Sequence, residues 1–278
     1  KSYIFKGKSS VSQMLSDTEY YFPIIEPILD SYNIPLELKY LPVIESRFNP
    51  TAKSPVGARG MWQIMFNTAK EYDLIISSYV DDRMDVLKST KAACEYFLES
   101  NARFNDWTTS IASYNAGKYG VLKAIKRSGG KKNYWEYRPF LPKETREYVP
   151  KLIAAIYIMN YASEYGIYPK TENNIFDEEI DTIHIKRQLS FKNLATLIDL
   201  NIEKIEELNP SYKIGVVPNV KDRDFYIHLP IEKIEYFIMN RDTIYKKLDE
   251  IEKNTNYPNY EEMVKKIIYK IKPGDSMG

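Results

Sequence analysis

Glu45 is the side chain whose position in this sequence most invites a chemical reading. It follows Leu41 by one helical turn, near the end of a helix expected to stop at Asn49-Pro50, and it opens onto a loop containing Gly57 and Gly60. A carboxyl group partly withdrawn from water, with no cation beside it, holds its proton to higher pH. A general acid working near neutrality needs that property. The competing reading is structural: Glu45 pairs with Arg47 or Arg59 and only ends a helix, since ion pairs also perturb carboxyl groups.

The rest of the sequence narrows the chemistry. Its two histidines are His184 and His228, so nothing before residue 184 can use an imidazole. A Ser-His-Asp or Cys-His mechanism is thereby excluded from the first part, and a zinc site there is disfavoured. Cys94 is alone, which rules out an intrachain disulfide. Its spacing from Leu87 and Leu98 predicts a buried helix face, with the thiol as a small core residue. Lys and Arg number 39 against 38 Asp and Glu, a net charge of +1, so no broad basic field exists to hold nucleic acid. Short runs such as Lys131-Lys132 are expected as solvated turns. No apolar run approaches the roughly 20 residues of a membrane helix. No cofactor or metal is expected, and the chain is expected to be a monomer. Lys1 suggests a processed or trimmed start, with any export signal upstream.

Chemistry in the first part must therefore come from carboxylates, hydroxyls and amides. Helical spacing predicts the elements that position them. Ile24, Ile25, Ile28 and Leu29 form one stripe; Pro35 stands at a first helical position, followed by Leu38, Leu41 and Glu45 on one face. Further helices are expected over 62–72, 86–98, 107–116, 121–126 and 143–161. Asp106 caps the third of these and Gly117 stops it. In the last, Val149, Leu152, Ile153 and Ile156 are expected to face inward. Residues 1–167 are thus expected to form an all-α domain. Beyond Tyr168-Pro169 the order becomes β-α-α-β: a strand around Ile183, helices over 191–200 and 202–209, and a strand over 225–229. This marks a small α+β module over 175–232, whose histidines are expected to face solvent from their strands. One amphipathic helix over 231–252 and a polar linker fill 233–262, and 263–278 opens a further strand and turn.

Four words carry a resemblance. They are Glu45-Ser46-Arg47-Phe48-Asn49-Pro50; Gly57-Ala58-Arg59-Gly60-Met61-Trp62-Gln63, preceded by Ala52-Lys53-Ser54; Ala112-Ser113-Tyr114-Asn115-Ala116-Gly117; and Tyr148-Val149. In this order and spacing, residues 20–165 resemble the lytic transglycosylase family (glycoside hydrolase family 23, lysozyme-like SLT fold), most of all its membrane-bound murein transglycosylase D type. The resemblance implies an enzyme of the bacterial cell envelope or periplasm, acting on the glycan strands of peptidoglycan. It implies Glu45 as the acid at the bridge between N-acetylmuramic acid and N-acetylglucosamine, then as the base that takes the 6-hydroxyl proton, leaving a 1,6-anhydro end. Ser54 and Gln63 match positions that bond the acetamide or the catalytic carboxyl. Tyr114, Asn115 and Tyr148 match residues that line the cleft and orient the acetyl group, and Met61 is a further substrate-binding candidate at the cleft wall. Each also has a plainer use: Gln63 and Asn115 as ties between loop and helix, Met61 and Trp62 as core, and the tyrosines as packing.

An inverting hydrolase needs a second carboxylate roughly 6.5–9.5 Å from the acid. Asp81, Asp82 and Asp85 are the densest acidic group and are expected in a solvated loop and helix start. A goose-type lysozyme and a silent glycan-binding domain remain the alternatives. The module resembles a LysM repeat, a family that binds N-acetylglucosamine glycans, through its β-α-α-β order, Leu208-Asn209-Pro210 and Ile227-His228-Leu229-Pro230. It lacks the usual Gly-Asp after the first strand, so sugar binding and a scaffold role both stay open. Tyr269 to Ser276 matches the start of a second, truncated LysM repeat.

Overall fold

The computed structural model describes residues 7–170, 178–253 and 255–263. The expected second LysM start over 263–278 lies almost wholly outside the described residues.

The first half is helical, as its spacing predicts. Helix α1 (Lys8–Ser31) buries Val11, Met14, Tyr21, Ile25 and Leu29 along one stripe, while Pro23 and Pro27 lie on the opposite, exposed side. Residues Leu36–Tyr40 form a 3-10 turn that passes directly into α2 (Leu41–Glu45). Pro35 stands just before this turn rather than inside it, and Glu45 is the last helical residue. The helix stops there, four residues short of the expected Asn49-Pro50, because Arg47 and Phe48 take left-handed backbone angles of 56° and 61°. A bulky aromatic residue rarely adopts that region. Phe48 is held in it by burial, stacked on Tyr21 at 5.8 Å and edge-on to Phe22 at 5.9 Å.

The segment after Glu45 departs most from expectation. The helix predicted over 62–72 begins only at α3 (Phe66–Glu71). Before it, residues 53–64 fold back on themselves through bridges of Lys53 to Arg59 and Arg59 to Ile64. Gly60 and Gln63 have positive φ of 83° and 50°, which no helix accommodates. Trp62 fits the apolar spacing because it enters the core from this hairpin, fully buried, with its indole N–H donating to Thr90 Oγ1 at 2.9 Å.

Helices α4 (Val86–Phe104), α5 (Trp107–Ala116), α6 (Lys118–Arg127), the single turn α7 (Tyr134–Tyr137) and α8 (Lys143–Tyr161) complete the first domain. Asp106 caps α5 by accepting from Thr109 N at 2.7 Å, and Gly117 ends it. Cys94 is buried as expected, with burial pushing its thiol up to about 12. Leu87 and Leu98 are nonetheless exposed, because the buried face of α4 runs through Ala92, Ala93 and Phe97. On α8, Val149 and Leu152 are buried while Ile153 is 52% exposed. The α1, α2, α4 and α8 faces share one core, and a smaller cluster around Val121, Tyr134 and Tyr137 fills the space beside α5 and α6.

The acidic group corrects the expectation of a solvated loop. Asp81 and Asp82 are 3% and 2% exposed. Asp81 is paired with Arg83 at 2.8 Å, and Asp82 with Lys88 at 2.8 Å. Asp85 caps α4 by accepting from Lys88 N at 2.9 Å. Burial is possible because each carboxylate finds donors within a few residues.

The α+β module follows. Strand β1 (Ile180–Ile185) pairs antiparallel with β4 (Phe225–Pro230), placing Ile183 opposite Ile227. The short β2 (Leu189–Ser190) pairs with β3 (Val216–Val217), and α9 (Phe191–Ile198) and α10 (Ile202–Leu208) pack beneath. Asn209 joins the end of α10 to β4: its amide donates to Ile205 O at 2.9 Å and His228 O at 2.8 Å, and accepts from His228 N at 2.7 Å. The histidines do occupy the sheet face away from the core, but only half-exposed. His184 pairs with Asp224 at 3.0 Å, and His228 meets Thr182 Oγ1 at 3.1 Å. The single helix expected over 231–252 is two, α11 (Ile231–Met239) and α12 (Arg241–Glu252), broken at Asn240. Both belong to the module's core through Ile234, Phe237, Ile244 and Leu248. Among the described residues, no helix is long and apolar enough to cross a membrane.

Gly60 offers a direct stability test. A Cβ on it would lie 1.7 Å from the carbonyl oxygen of Arg83, at a backbone angle L side chains resist. Gly60→Ala is expected to lower unfolding free energy by at least about 2 kcal/mol, read by urea or thermal melting. An unchanged midpoint would contradict this packing.

Candidate active site

The sequence words are far apart, and the fold brings most of them together around Glu45. Helix α2 delivers the carboxyl at its last residue, half-buried. Tyr148, on the inward face of α8, donates its hydroxyl to Glu45 Oε1. Among the described residues no cation pairs with Glu45. Arg47 is exposed, and Arg59 turns away so that Nη1 meets Met84 Sδ at 3.5 Å. The structural reading of Glu45 as half of an ion pair is therefore not what the side chains do.

Withdrawal from water consequently dominates, and the carboxyl titrates at about 7 instead of the ordinary 4.5. The Tyr148 hydrogen bond pulls the other way by favouring the carboxylate, and the nearby charge of Glu144 adds to the rise. A group poised at this value can give up a proton and take one back at neutral pH. Tyr148 itself is held far above the ordinary phenol range, first by burial and then by the charge of Glu45, so it remains a donor.

Tyr114 neighbours this pair, and the remaining candidates are fixed by their own partners. Tyr114, on α5, stacks on Phe97 at 5.0 Å and donates to Trp62 O at 2.8 Å. It feels the charge of Glu45 after the larger effect of its own burial. Ser46 Oγ donates to Met61 O at 2.8 Å. These two bonds fasten the 53–64 hairpin against α2 and α5. Gln63 Nε2 donates to Gly60 O at 2.9 Å and Ala52 O at 3.3 Å, which leaves Oε1 as the acceptor end. Asn115 is oriented oppositely. Its Oδ1 accepts from Thr145 Oγ1 at 2.8 Å, leaving the amide N–H groups to donate.

Two of the predicted residues have more structural settings. Met61 is buried in the core. Ser54 Oγ accepts from Ala58 N at 2.9 Å, closing the hairpin turn. Thr145 and Glu144 were not singled out by sequence. Both lie one turn before Tyr148 on the same helix, and that i, i+3 relation is the signal that could have found Thr145. Asp81, Asp82 and Asp85 are bonded to Arg83, to Lys88 and Ile75 N, and to the α4 N-terminus, respectively. A cavity of about 480 Å³ lies elsewhere, between α1 and the open face of the module sheet, walled by Tyr21, Thr182, Tyr226 and His228 among others and without Glu45.

The family model for the transglycosylase SLT domain matches residues 23–137, and the model for the LysM-like domain of lytic transglycosylase MltD matches residues 179–246. Residues 23–137 are thus matched as an SLT transglycosylase domain. Over 218 residues it is 31% identical to membrane-bound lytic murein transglycosylase D of Escherichia coli, covering 77% of this chain and 47% of that protein. A putative tributyltin chloride resistance protein of an Alteromonas species is 39% identical over 116 residues, covering 41% of this chain and 56% of that one. The chain thus spans about half the length of these curated relatives. The 70 kDa soluble lytic transglycosylase of Escherichia coli superimposes with a TM-score of 0.43 at 27% identity, over 55% of this chain and 26% of that chain.

The Glu45 environment can be titrated directly. A carboxyl whose folded value is raised contributes stability below the unfolded value of about 4.5 and has lost it above about 7. Glu45→Gln is therefore expected to match the unaltered chain in thermal stability at pH 4 and to exceed it at pH 8. Tyr148→Phe removes the one bond that favours the carboxylate, so the Glu45 titration, followed by carbon-detected NMR, should move above 7. A titration near 4.5 in the unaltered chain would show the carboxyl to be solvated.

Proposed function

We propose that this protein cleaves the glycan strands of peptidoglycan between N-acetylmuramic acid and N-acetylglucosamine without consuming water. The supporting observation is the Glu45 carboxyl, without a cation partner among the described residues, bonded by Tyr148 and titrating at about 7. In the first step Glu45 gives its proton to the bridging oxygen. The C1–O bond breaks and its electron pair leaves with the N-acetylglucosamine hydroxyl. The muramic acetamide oxygen supports C1 from the opposite side, so no protein nucleophile is needed. In the second step the Glu45 carboxylate removes the 6-hydroxyl proton. O6 bonds to C1, the acetamide lets go, and the strand ends in a 1,6-anhydro sugar with Glu45 protonated again. The reaction is a carbon-oxygen lyase step with its protons balanced.

The amides suit complementary ends of the substrate. Gln63, its nitrogen already bonded to the hairpin, offers an acceptor to an acetamide N–H. Asn115, its oxygen fixed by Thr145, offers donors to an acetyl oxygen or a hydroxyl. Tyr114 and Ser54 act as supports of the hairpin. The setting for such a reaction is the bacterial cell envelope, where the substrate is.

Digesting purified glycan and weighing the fragments tests the reading. Anhydro-ended fragments are expected; reducing ends, heavier by one water, would instead assign a lysozyme-type hydrolysis. Glu45→Gln should lower the cleavage rate by about 10²–10⁴-fold. Binding without cleavage by the unaltered chain would make the domain a glycan holder.

A further inference from the structure

The loop from 75 to 82 belongs by sequence to the helical domain, yet it is built into the module. Tyr79 and Val80, 2% and 1% exposed, are buried in the same core as Phe191, Leu194 and Ile227. Backbone bonds hold the loop on both edges. On one edge Lys213 N donates to Tyr79 O at 2.8 Å, Asp81 N donates to Ser211 O at 2.9 Å, and Val80 bridges Tyr212. On the other, Ser78 N donates to Glu261 O and Met263 N to Ile76 O, both at 2.8 Å. Ile76 bridges Asp81 within the loop, so it is a tight reverse turn whose 76–78 arm bonds to 261–263 and whose 79–81 arm bonds to 211–213.

At the next residue, the same strap grips the active-site hairpin. Arg83 is buried, and its Nε and Nη2 donate to the Asp81 carboxylate at 2.9 and 2.8 Å. Its Nη1 donates to Gly57 O at 3.0 Å and to Ile64 O at 3.4 Å, at the turn and the closing residue of the hairpin. The carbonyl of Arg83 presses on Gly60 between them. On its opposite side the hairpin is held by Ser46 and Tyr114. Gln63 is thus carried by a segment clamped between the Glu45 helix and Arg83.

We infer that the LysM-like module braces the catalytic hairpin, with Arg83 as the positioning residue through which module docking sets the rate of cleavage. This rests on the reading above that the 53–64 hairpin meets substrate. Groups held within about an ångström of their working place lose large factors in rate when that support loosens. Because the strap is continuous, loosening it at the module end or the hairpin end should have one and the same effect.

The test uses the full chain with soluble glycan fragments, scoring cleavage of either product type. A hydrolytic product would overturn the chemistry proposed earlier without touching this test. Val80→Ala, which contacts the module and no substrate group, and Arg83→Met are each expected to lower kcat about 5- to 10-fold with KM within about 2-fold. The double variant should be no slower than the slower single, since changes acting through one connection do not add. Hydrogen exchange at Gly60 and Ile64 should quicken in Val80→Ala, and this reads the brace without turnover, so it serves even where Arg83→Met folds poorly. Unchanged kcat in Val80→Ala, multiplied effects in the double variant, or hairpin exchange unaffected by Val80→Ala would each overturn the brace.

Discussion

The site depends on one constraint: a carboxyl group kept from water and given a hydroxyl, not a cation, as its partner. An arginine within a few ångströms would hold such a group below its ordinary value by one to three units. The structure spends its neighbouring cations elsewhere, with Arg59 against Met84 and Arg83 on Asp81. Tyr148 then supplies a single neutral hydrogen bond, enough to orient Glu45 without making it a permanent anion. The early end of α2, the buried left-handed Phe48 and the packing of Tyr114 on Phe97 all follow from setting a carboxyl at the rim of a closed core.

Much of this was legible in the sequence, for reasons that differ by element. Helices α5 and α8 have regular apolar spacing and clear ends, so their bounds come out as read. Glu45 and Tyr148 are 103 residues apart and were joined by motif, not by periodicity. The loop with Gly57 and Gly60 was read as a loop, but its continuation to Ile64 was not, because a Trp that plugs the core from a turn has the same spacing as one on a helix. Asp81 and Asp82 misled because acidic residues imply solvent unless their partners are known. Thr145 and Arg83 were silent for a related reason: their use depends on which distant atoms the fold presents to them.

The module repeats this lesson at larger scale. Its outer strands and two helices are local and were readable, as was the family it resembles, whereas the two-residue β2 and β3 were not read. That α11 and α12 complete its core, and that Tyr79 and Val80 enter it from the helical domain, are long-range facts. Asn209 shows how one motif residue earns its place structurally, by tying α10 to β4 through three hydrogen bonds. The two lobes are joined by shared apolar burial as well as by chain connection.

The 103-residue gap between Glu45 and Tyr148 also bears on how the molecule comes to life. Helix α2 has little more than one turn, too short to persist alone in water. Its terminal turn closes only when Phe48 finds Tyr21 and Phe22. Until α8 docks on that assembly, Glu45 is a hydrated carboxylate of ordinary acidity. A nascent or partly unfolded chain therefore carries every residue of the site but keeps the Glu45 proton no better than a solvated carboxyl does, so that an acid still protonated near neutral pH is a late product of folding, acquired when the two ends of the domain meet.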